Sequence, residues 1–382
     1  MMWRGKWFVC CAIFQIVAQD FTIRVLLDEE SDSGKHWIIS GDRGVYVSNP
    51  QDPSRCSQCQ QVAIGHDIHG LIVYDENGRC VRGISIVKIE PVEGNCFYDD
   101  RYYQGTLYTI WYDNQALLIN QLDLEDYLYS VLRAESFPGW PLEMNKIIAI
   151  TCRSYAIAKI MSAQKRKKPY HIKSTNKHQT YRGYHNREIL RKAVKETEGL
   201  FLAYEEKPIL AMFDICCGGV IPAKKSGMNF QHAPYLKRSY ACTHCMSCKS
   251  YQWSTSYTLQ EFEVLLRKEI PRLRGIKSVQ IHKKDSAGVV KSVLIKANSG
   301  YHYISGSKLL SLSENMKSAC FTMKQTERKI TMHGKGFGHH MGLCQWGARQ
   351  LVKDCWPYER ILNYYYPETT IMKLRAAEIS HA

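Results

Sequence analysis

Between Phe21 and about Asn120 the pattern of apolar and polar positions is one of short β-rich runs: FTIRVLL, GVYVS, LIVYD, GISIVKIE, TLYTIWY and ALLIN. Clusters of Gly, Asn, Asp and Pro separate them, the pattern of strands joined by turns. After Asn120 the period changes to that of a helix. Asp123 stands where an N-cap is needed, with Asp126 at the third helical position, and LEDYLYSVLRAE continues until Pro138, Gly139 and Pro141 end it. A second helix is predicted from about Pro141 to Gln164, with Met144, Ile147, Ile148, Thr151, Tyr155 and Ala158 at helical spacing and a basic end. Beyond it the pattern predicts a helix near 186–197, strands around 200–213, a cysteine-bearing loop to 252, a helix near 258–268, strands around 276–304, then a Gly-rich loop and two short helices. There is no internal repeat and no low-complexity tract. The reading is an α+β protein in four parts: an N-terminal segment 1–19, a β-rich region 20–120, a mixed helix/strand region 121–372 and a tail 373–382.

Composition narrows this. In 382 residues, 45% are hydrophobic and 23% charged, enough apolar content to build a core of one large or several smaller domains. The opening MMWRGKWFVCCAIFQIVAQD places Arg4 and Lys6 before an apolar run ending near Ala18. That is the layout of a secretory signal or a membrane anchor, the alternative being a buried first element. No later run approaches the roughly 18–20 apolar residues of a membrane-spanning helix. A net charge of +15 calls for an anionic partner: nucleic acid, an anionic lipid surface or an acidic wall polymer. The 15 cysteines become an odd number if cleavage removes Cys10 and Cys11, so an exported chain keeps at least one sulfur outside internal disulfides.

Glu135 is the first candidate for chemistry. Leu128, Val131 and Leu132 precede it on one helical face, so the carboxylate continues an apolar stripe and ends at the negative pole of the helix dipole. Both circumstances disfavour the charged form, and a protonated carboxyl at neutral pH is what a general acid requires. The competing reading is a helix-terminal Glu turned to solvent or paired with Arg133 or Arg153. Asp126 and Glu143 are nearby acids available as a second carboxylate, but helix capping and dipole complementation explain both.

The stretch LDLEDYLYSVLRAESFPGWPLEMNKIIAITCRSYAIAK, followed in order by TNKHQTYRG, FDICCGGVIPA, APYLKRS, GKGFGHHMGLCQWGA and ILNYYYP, resembles the signature motifs of the stage II sporulation protein D (SpoIID) family over about residues 100–370. The resemblance implies a SpoIID-like catalytic region and a peptidoglycan lytic transglycosylase acting on glycan strands stripped of stem peptides. It implies that Glu135 is the catalytic glutamate and that Arg153 binds substrate or positions the carboxylate. It adds Tyr155, His178, Gln179 and Lys237 as candidate glycan contacts. One carboxylate suffices for such a lyase, whereas a hydrolase normally needs two flanking the bond. The implied cofactor requirement for catalysis is none. The implied partners are peptidoglycan glycan strands and a peptidoglycan amidase, in the periplasm or cell envelope, with membrane contact only through an uncleaved N-terminal segment. The free lactyl carboxylates of peptide-free strands give the positive charge a partner other than nucleic acid.

Gly334, Gly336, Gly338 and Gly342 suggest a phosphate loop, but the Gly-Lys-Ser/Thr ending is missing. The loop either brings backbone close to a sugar chain, with His339, Gln345 and Trp346 as hydrogen-bonding and stacking groups, or is a tight core turn. His340 stands where the family usually has glycine, so a positive φ there would strain it. Cys216, Cys217, Cys242 and Cys245, with Cys248, have the spacing of a thiolate metal site, and structural zinc and disulfides both fit. The zinc-binding cysteine pair of some relatives is replaced here, in the segment matching Tyr170 to Tyr181, by Lys173 and His178. Cys56, Cys59, Cys80 and Cys96 form a second group open to the same two readings. KRKK at 165–168 is a solvated helix end without nucleic-acid motifs around it. The rivals to a lytic enzyme are a non-catalytic glycan-binding scaffold and a basic nucleic-acid binder.

Overall fold

Each β-rich run of the N-terminal hundred residues lies in strand, GISIVKIE being divided between two at Ser85. The computed structural model describes residues 21–374 apart from 33–34, 75, 77, 79, 176–177 and 224–229. The expected signal or anchor, and most of the 373–382 tail, lie outside the described residues. Among the described residues no helix is long and apolar enough to cross a membrane. The chain is α+β and divides into two units, the first built from residues 21–135, 156–208 and 371–374, the second from 136–155 and 209–370.

The first unit is dominated by strands β1 (Thr22–Glu30), β2 (Trp37–Asn49), β3 (Asp52–Asp67), β4 (Gly70–Tyr74), β5 (Cys80–Ile84), β6 (Ile86–Pro91), β7 (Cys96–Tyr98), β8 (Arg101–Tyr103), β9 (Thr106–Tyr112) and β10 (Gln115–Asp123). With β11 (Ile172–Lys173) they make an 11-stranded sheet in the order β11-β1-β10-β9-β6-β2-β3-β4-β5, β7 pairing with β2 and β8 with β7. The ladders are antiparallel except where β11 runs parallel to β1, Val25 opposite Ile172. Period-two burial places Ile23, Val25 and Leu107 inside, and β10 is buried on both faces from Ala116 to Asn120.

The change of period at Asn120 falls within this unit. Helix α1 (Leu124–Glu135) follows β10 directly, and Asp123 Oδ1 accepts the amide protons of Glu125 at 2.7 Å and Asp126 at 3.4 Å, the cap the sequence called for. Leu124, Tyr127, Leu128, Val131 and Leu132 are buried, each large apolar side chain stabilising by about 1.5–3 kcal/mol. Helix α2 (Leu142–Lys165) is divided between the units at Tyr155/Ala156. Helix α3 (Glu188–Glu196) and strands β12 (Leu200–Tyr204) and β13 (Lys207–Pro208) complete the first unit, the C-terminal strand Thr370–Lys373 pairing with β12.

In the second unit β14 (Phe213–Asp214) pairs in parallel with a strand far along the chain, Leu343–Cys344. Between them lies a self-contained α+β portion. Its elements are β15 (Gln252–Thr258), α4 (Leu259–Arg267), β16 (Ile276–Lys284), β17 (Val290–Ala297), β18 (Gly300–Ser305), α5 (Gly306–Leu312), β19 (Phe321–Gln325) and β20 (Lys329–Lys335). They form sheets β15-β20-β19 and β16-β17-β18 around a core that includes Phe262, Leu266, Val293, Ile295, Ile330 and Met332. Thr258 and Glu261 cap α4 reciprocally. After Leu343–Cys344, designated β21, come α6 (Gln345–Lys353) and α7 (Tyr358–Tyr365). The Gly-rich stretch is shorter than its glycines suggest, because the alternation of KITMHGK carries β20 through Gly334 to Lys335.

Candidate functional site

Glu135 is the last residue of α1, which brings its carboxylate to the helix end. It is partly buried, and Oε1 accepts the backbone N–H of Thr180 at 2.8 Å. Burial raises its affinity for a proton; the Thr180 hydrogen bond opposes that but does not cancel it, and the pKa lies above the ordinary carboxyl value. Asp126 is also shifted upward, by burial first and then by Asp123, with Arg191 opposing. It sits nine residues before Glu135 on the same helix, about 13.5 Å along the axis and half a turn around it. Carboxylates that share a glycosidic bond stand roughly 5–9.5 Å apart, so Asp126 is no partner for Glu135. Glu143, in the first turn of α2, is held by Lys146 at 2.8 Å.

The segment that supplies Thr180 is anchored to the sheet and to α1. Tyr181 stacks on Tyr127 with centroids 5.5 Å apart, and its hydroxyl donates to Asn120 Oδ1 at 2.6 Å. Tyr127 donates to Gln179 Oε1 at 2.9 Å. His178 Nδ1 accepts the Lys173 N–H at 2.9 Å. Burial, then Lys159, Lys173 and Lys168, push the His178 pKa down to about 4, so the imidazole is neutral at physiological pH. Within the first unit, then, the structure gathers Glu135, Thr180, His178 and Gln179. Thr180 escapes sequence reading because it meets Glu135 from 45 residues along the chain, a contact that no local pattern reports.

The remaining sequence-predicted residues belong to the second unit. Several of the predicted side chains are buried. Arg153 is 0% exposed and Gln345 3%, and in the first unit Gln179 is 1% exposed. Side chains with so little accessible surface offer little direct contact to a glycan, whereas a positioning role such as that implied for Arg153 needs no exposure. Tyr155 is 8% exposed. Lys237 is exposed, and His339 and Trp346 are partly exposed, the Arg349 guanidinium lying 5.2 Å from the Trp346 ring centroid. The glycines face inward. A Cβ on Gly338 would meet the Asp214 Cβ at 2.3 Å, and one on Gly342 would meet the Met212 carbonyl oxygen at 2.0 Å. Of the two readings of this loop, close approach is made to the chain's own 212–214 segment. His340 does adopt the left-handed region, φ +69°, held by its N–H donating to Asp214 Oδ2 at 2.7 Å and by Nδ1 against the Cys217 carbonyl at 2.9 Å. An open cleft of about 870 Å³ in this unit is lined by Trp253, Phe321, Lys284, His333, Lys335 and, from the Gly-rich stretch, Gly334.

The cysteines regroup. Among the described residues, the only set of three or more His, Cys, Asp or Glu ligand atoms within 4.8 Å of one another is Cys217, Cys242, Cys245 and Cys344, all buried. Cys216 is outside this set, although its thiol adjoins Cys245 and Cys344. Cys344, inside the quoted GLCQWGA motif, takes the place the spacing argument gave to Cys216. Cys56, Cys59, Cys80 and Cys96 form no such set.

A family model described as stage II sporulation protein, SpoIID, matches residues 112–204, the stretch that contains α1, α2 and Thr180. A second, described as a domain of unknown function (DUF8618), matches residues 231–342. The chain is similar to an uncharacterized protein of Brachyspira hyodysenteriae, 29% identical over 302 residues covering 78% of this chain and 80% of that protein. It is similar to the amidase enhancer of Bacillus subtilis, 25% identical over 64% of this chain but 40% of that longer protein. It is also similar to the stage II sporulation protein D of Bacillus amyloliquefaciens, 25% identical over 65% of this chain and 74% of that protein. The order of motifs, the fold that carries them and these matches agree: the chain carries a SpoIID-family region at residues 112–204 and is similar over about two thirds of its length to stage II sporulation protein D.

Proposed function

We propose that this protein is a peptidoglycan lytic transglycosylase, acting outside the cytoplasmic membrane on glycan strands freed of stem peptides. The observation that carries the proposal is Glu135, a partly buried helix-terminal carboxyl whose pKa burial raises above the ordinary carboxyl value and whose Oε1 is fixed by the Thr180 amide. The reaction follows from a single group. Glu135 donates its proton to the oxygen linking N-acetylmuramic acid C1 to N-acetylglucosamine, and the C1–O bond breaks as that sugar leaves with its new hydroxyl. The muramyl 6-oxygen then bonds to C1 while its proton passes to the Glu135 carboxylate. The products are a 1,6-anhydromuramyl end and a regenerated acid, with no water consumed and no second carboxylate needed.

Substrate class is supported by charge. Lys159, Lys168 and Lys173, the last paired with Glu29, lie around His178, two residues before Thr180, and place positive charge there. A strand bearing free lactyl carboxylates suits it. The name of the Bacillus subtilis relative supports cooperation with an amidase, which generates peptide-free strands, and also favours a second reading in which the chain binds glycan and stimulates the amidase without cleaving. Incubation with amidase-treated glycan separates the two. Release of anhydromuramyl fragments that Glu135→Gln abolishes supports the lyase; binding without fragments, unchanged by that substitution, supports the scaffold.

A further inference from the structure

We infer that Cys217, Cys242, Cys245 and Cys344 are the four ligands of a tetrahedral thiolate metal site, with zinc as the ion. The inference rests on the second unit alone and is independent of the lytic reading. Tetrahedral Zn–S bonds of about 2.3 Å set sulfurs about 3.8 Å apart. Cys217 and Cys245 Sγ are 3.6 Å apart, and all four sulfurs lie within 4.8 Å of one another. A disulfide would require about 2.05 Å.

The fold converges on this point from three places. Cys217 follows β14, Cys344 ends β21, its parallel partner, and Cys242 and Cys245 come from one turn in the intervening chain. Cys344 is also the N-cap of α6, where the helix dipole favours a thiolate. Two donors face the sulfurs: the Cys217 N–H approaches Cys344 Sγ at 3.3 Å, and the Tyr365 hydroxyl lies 3.2 Å from Cys242 Sγ. Room for Cys242 is made by Gly347, where a Cβ would stand 2.8 Å from that sulfur. Four thiolates around a divalent ion carry a net charge of −2. The buried Arg238 guanidinium, 1% exposed and fixed by the Gly342 carbonyl at 2.7 Å and the Val220 carbonyl at 2.5 Å, is the nearby cation that such a centre needs. An ion here would tie together the segments that hold the Gly-rich loop, and with it His339 and Trp346.

The full chain, purified under reducing conditions without chelator, is expected to contain one zinc per molecule by elemental analysis. Replacement by cobalt is expected to give the intense visible absorption of tetrahedral cobalt together with sulfur-to-cobalt charge transfer. Cys344→Ser and Cys242→Ser should lower zinc content by roughly tenfold or more, while Cys216→Ser and Cys248→Ser retain it. Should a ligand variant fail to fold, the cobalt spectrum of the native chain decides alone. Absence of the charge-transfer band, zinc kept by Cys344→Ser but lost from Cys216→Ser, or an intact mass showing these thiols joined as disulfides overturns the assignment.

Discussion

Two neighbours pull Glu135 in opposite directions, the apolar end of α1 toward the neutral acid and the Thr180 amide toward the carboxylate, and the first prevails. Its pKa is raised on folding, so the stability it contributes is fully present below the unfolded value of about 4.3 and is lost as pH rises through the folded one. Glu135→Gln keeps an acceptor for the Thr180 N–H and removes the buried charge. It is therefore expected to raise the melting temperature at neutral pH and leave it unchanged near pH 4; a loss of stability at neutral pH contradicts the account. The apolar stripe made Glu135 legible in the sequence, because its cause is a side-chain period. Thr180 and Arg238 were not, since an amide donor and a counter-charge become apparent only when distant segments meet. Cys344 was visible but lacks a close cysteine neighbour in the chain, and spacing therefore favoured Cys216.

At the level of elements, α1 delivers the carboxyl only while its first turn is held. Asp123→Ala removes the acceptor for the Glu125 and Asp126 amides, and a cost of about 1 kcal/mol is expected by urea unfolding, with activity retained where the helix remains formed. Both helices flanking Glu135 were readable, because Pro138, Gly139 and Pro141 end one pattern and begin another. The strands at Asp52–Asp67 and Cys80–Ile84 were not. Their Gln, Ser, Cys and Arg content hides the alternation, and pairing with β2 and β4 supplies what propensity does not. The Gly-rich loop had two readings, and backbone packing distinguishes them: its glycines admit the 212–214 segment.

For the whole molecule, the +15 charge and the β-rich N-terminal region were both plain from composition and pattern. The interruption of β14 and β21 by a portion with its own core was not, since a pairing across about 130 residues leaves no local trace. Charge also makes a prediction at this scale. Lys168 is exposed and lies among the lysines around His178. Lys168→Glu is expected to raise KM for peptide-free glycan by roughly threefold to tenfold at low ionic strength with little change in kcat. Steady-state assays across salt concentration should show that difference shrinking as salt rises; a salt-independent effect would point to structural damage. The central claim is that one carboxyl cleaves without water, and digestion of amidase-treated glycan in heavy-oxygen water, read by mass spectrometry, tests it directly. The account predicts anhydromuramyl ends free of heavy oxygen, their formation slowed at least about a hundredfold by Glu135→Gln. Reducing ends carrying heavy oxygen, or cleavage undiminished in that variant, would contradict it.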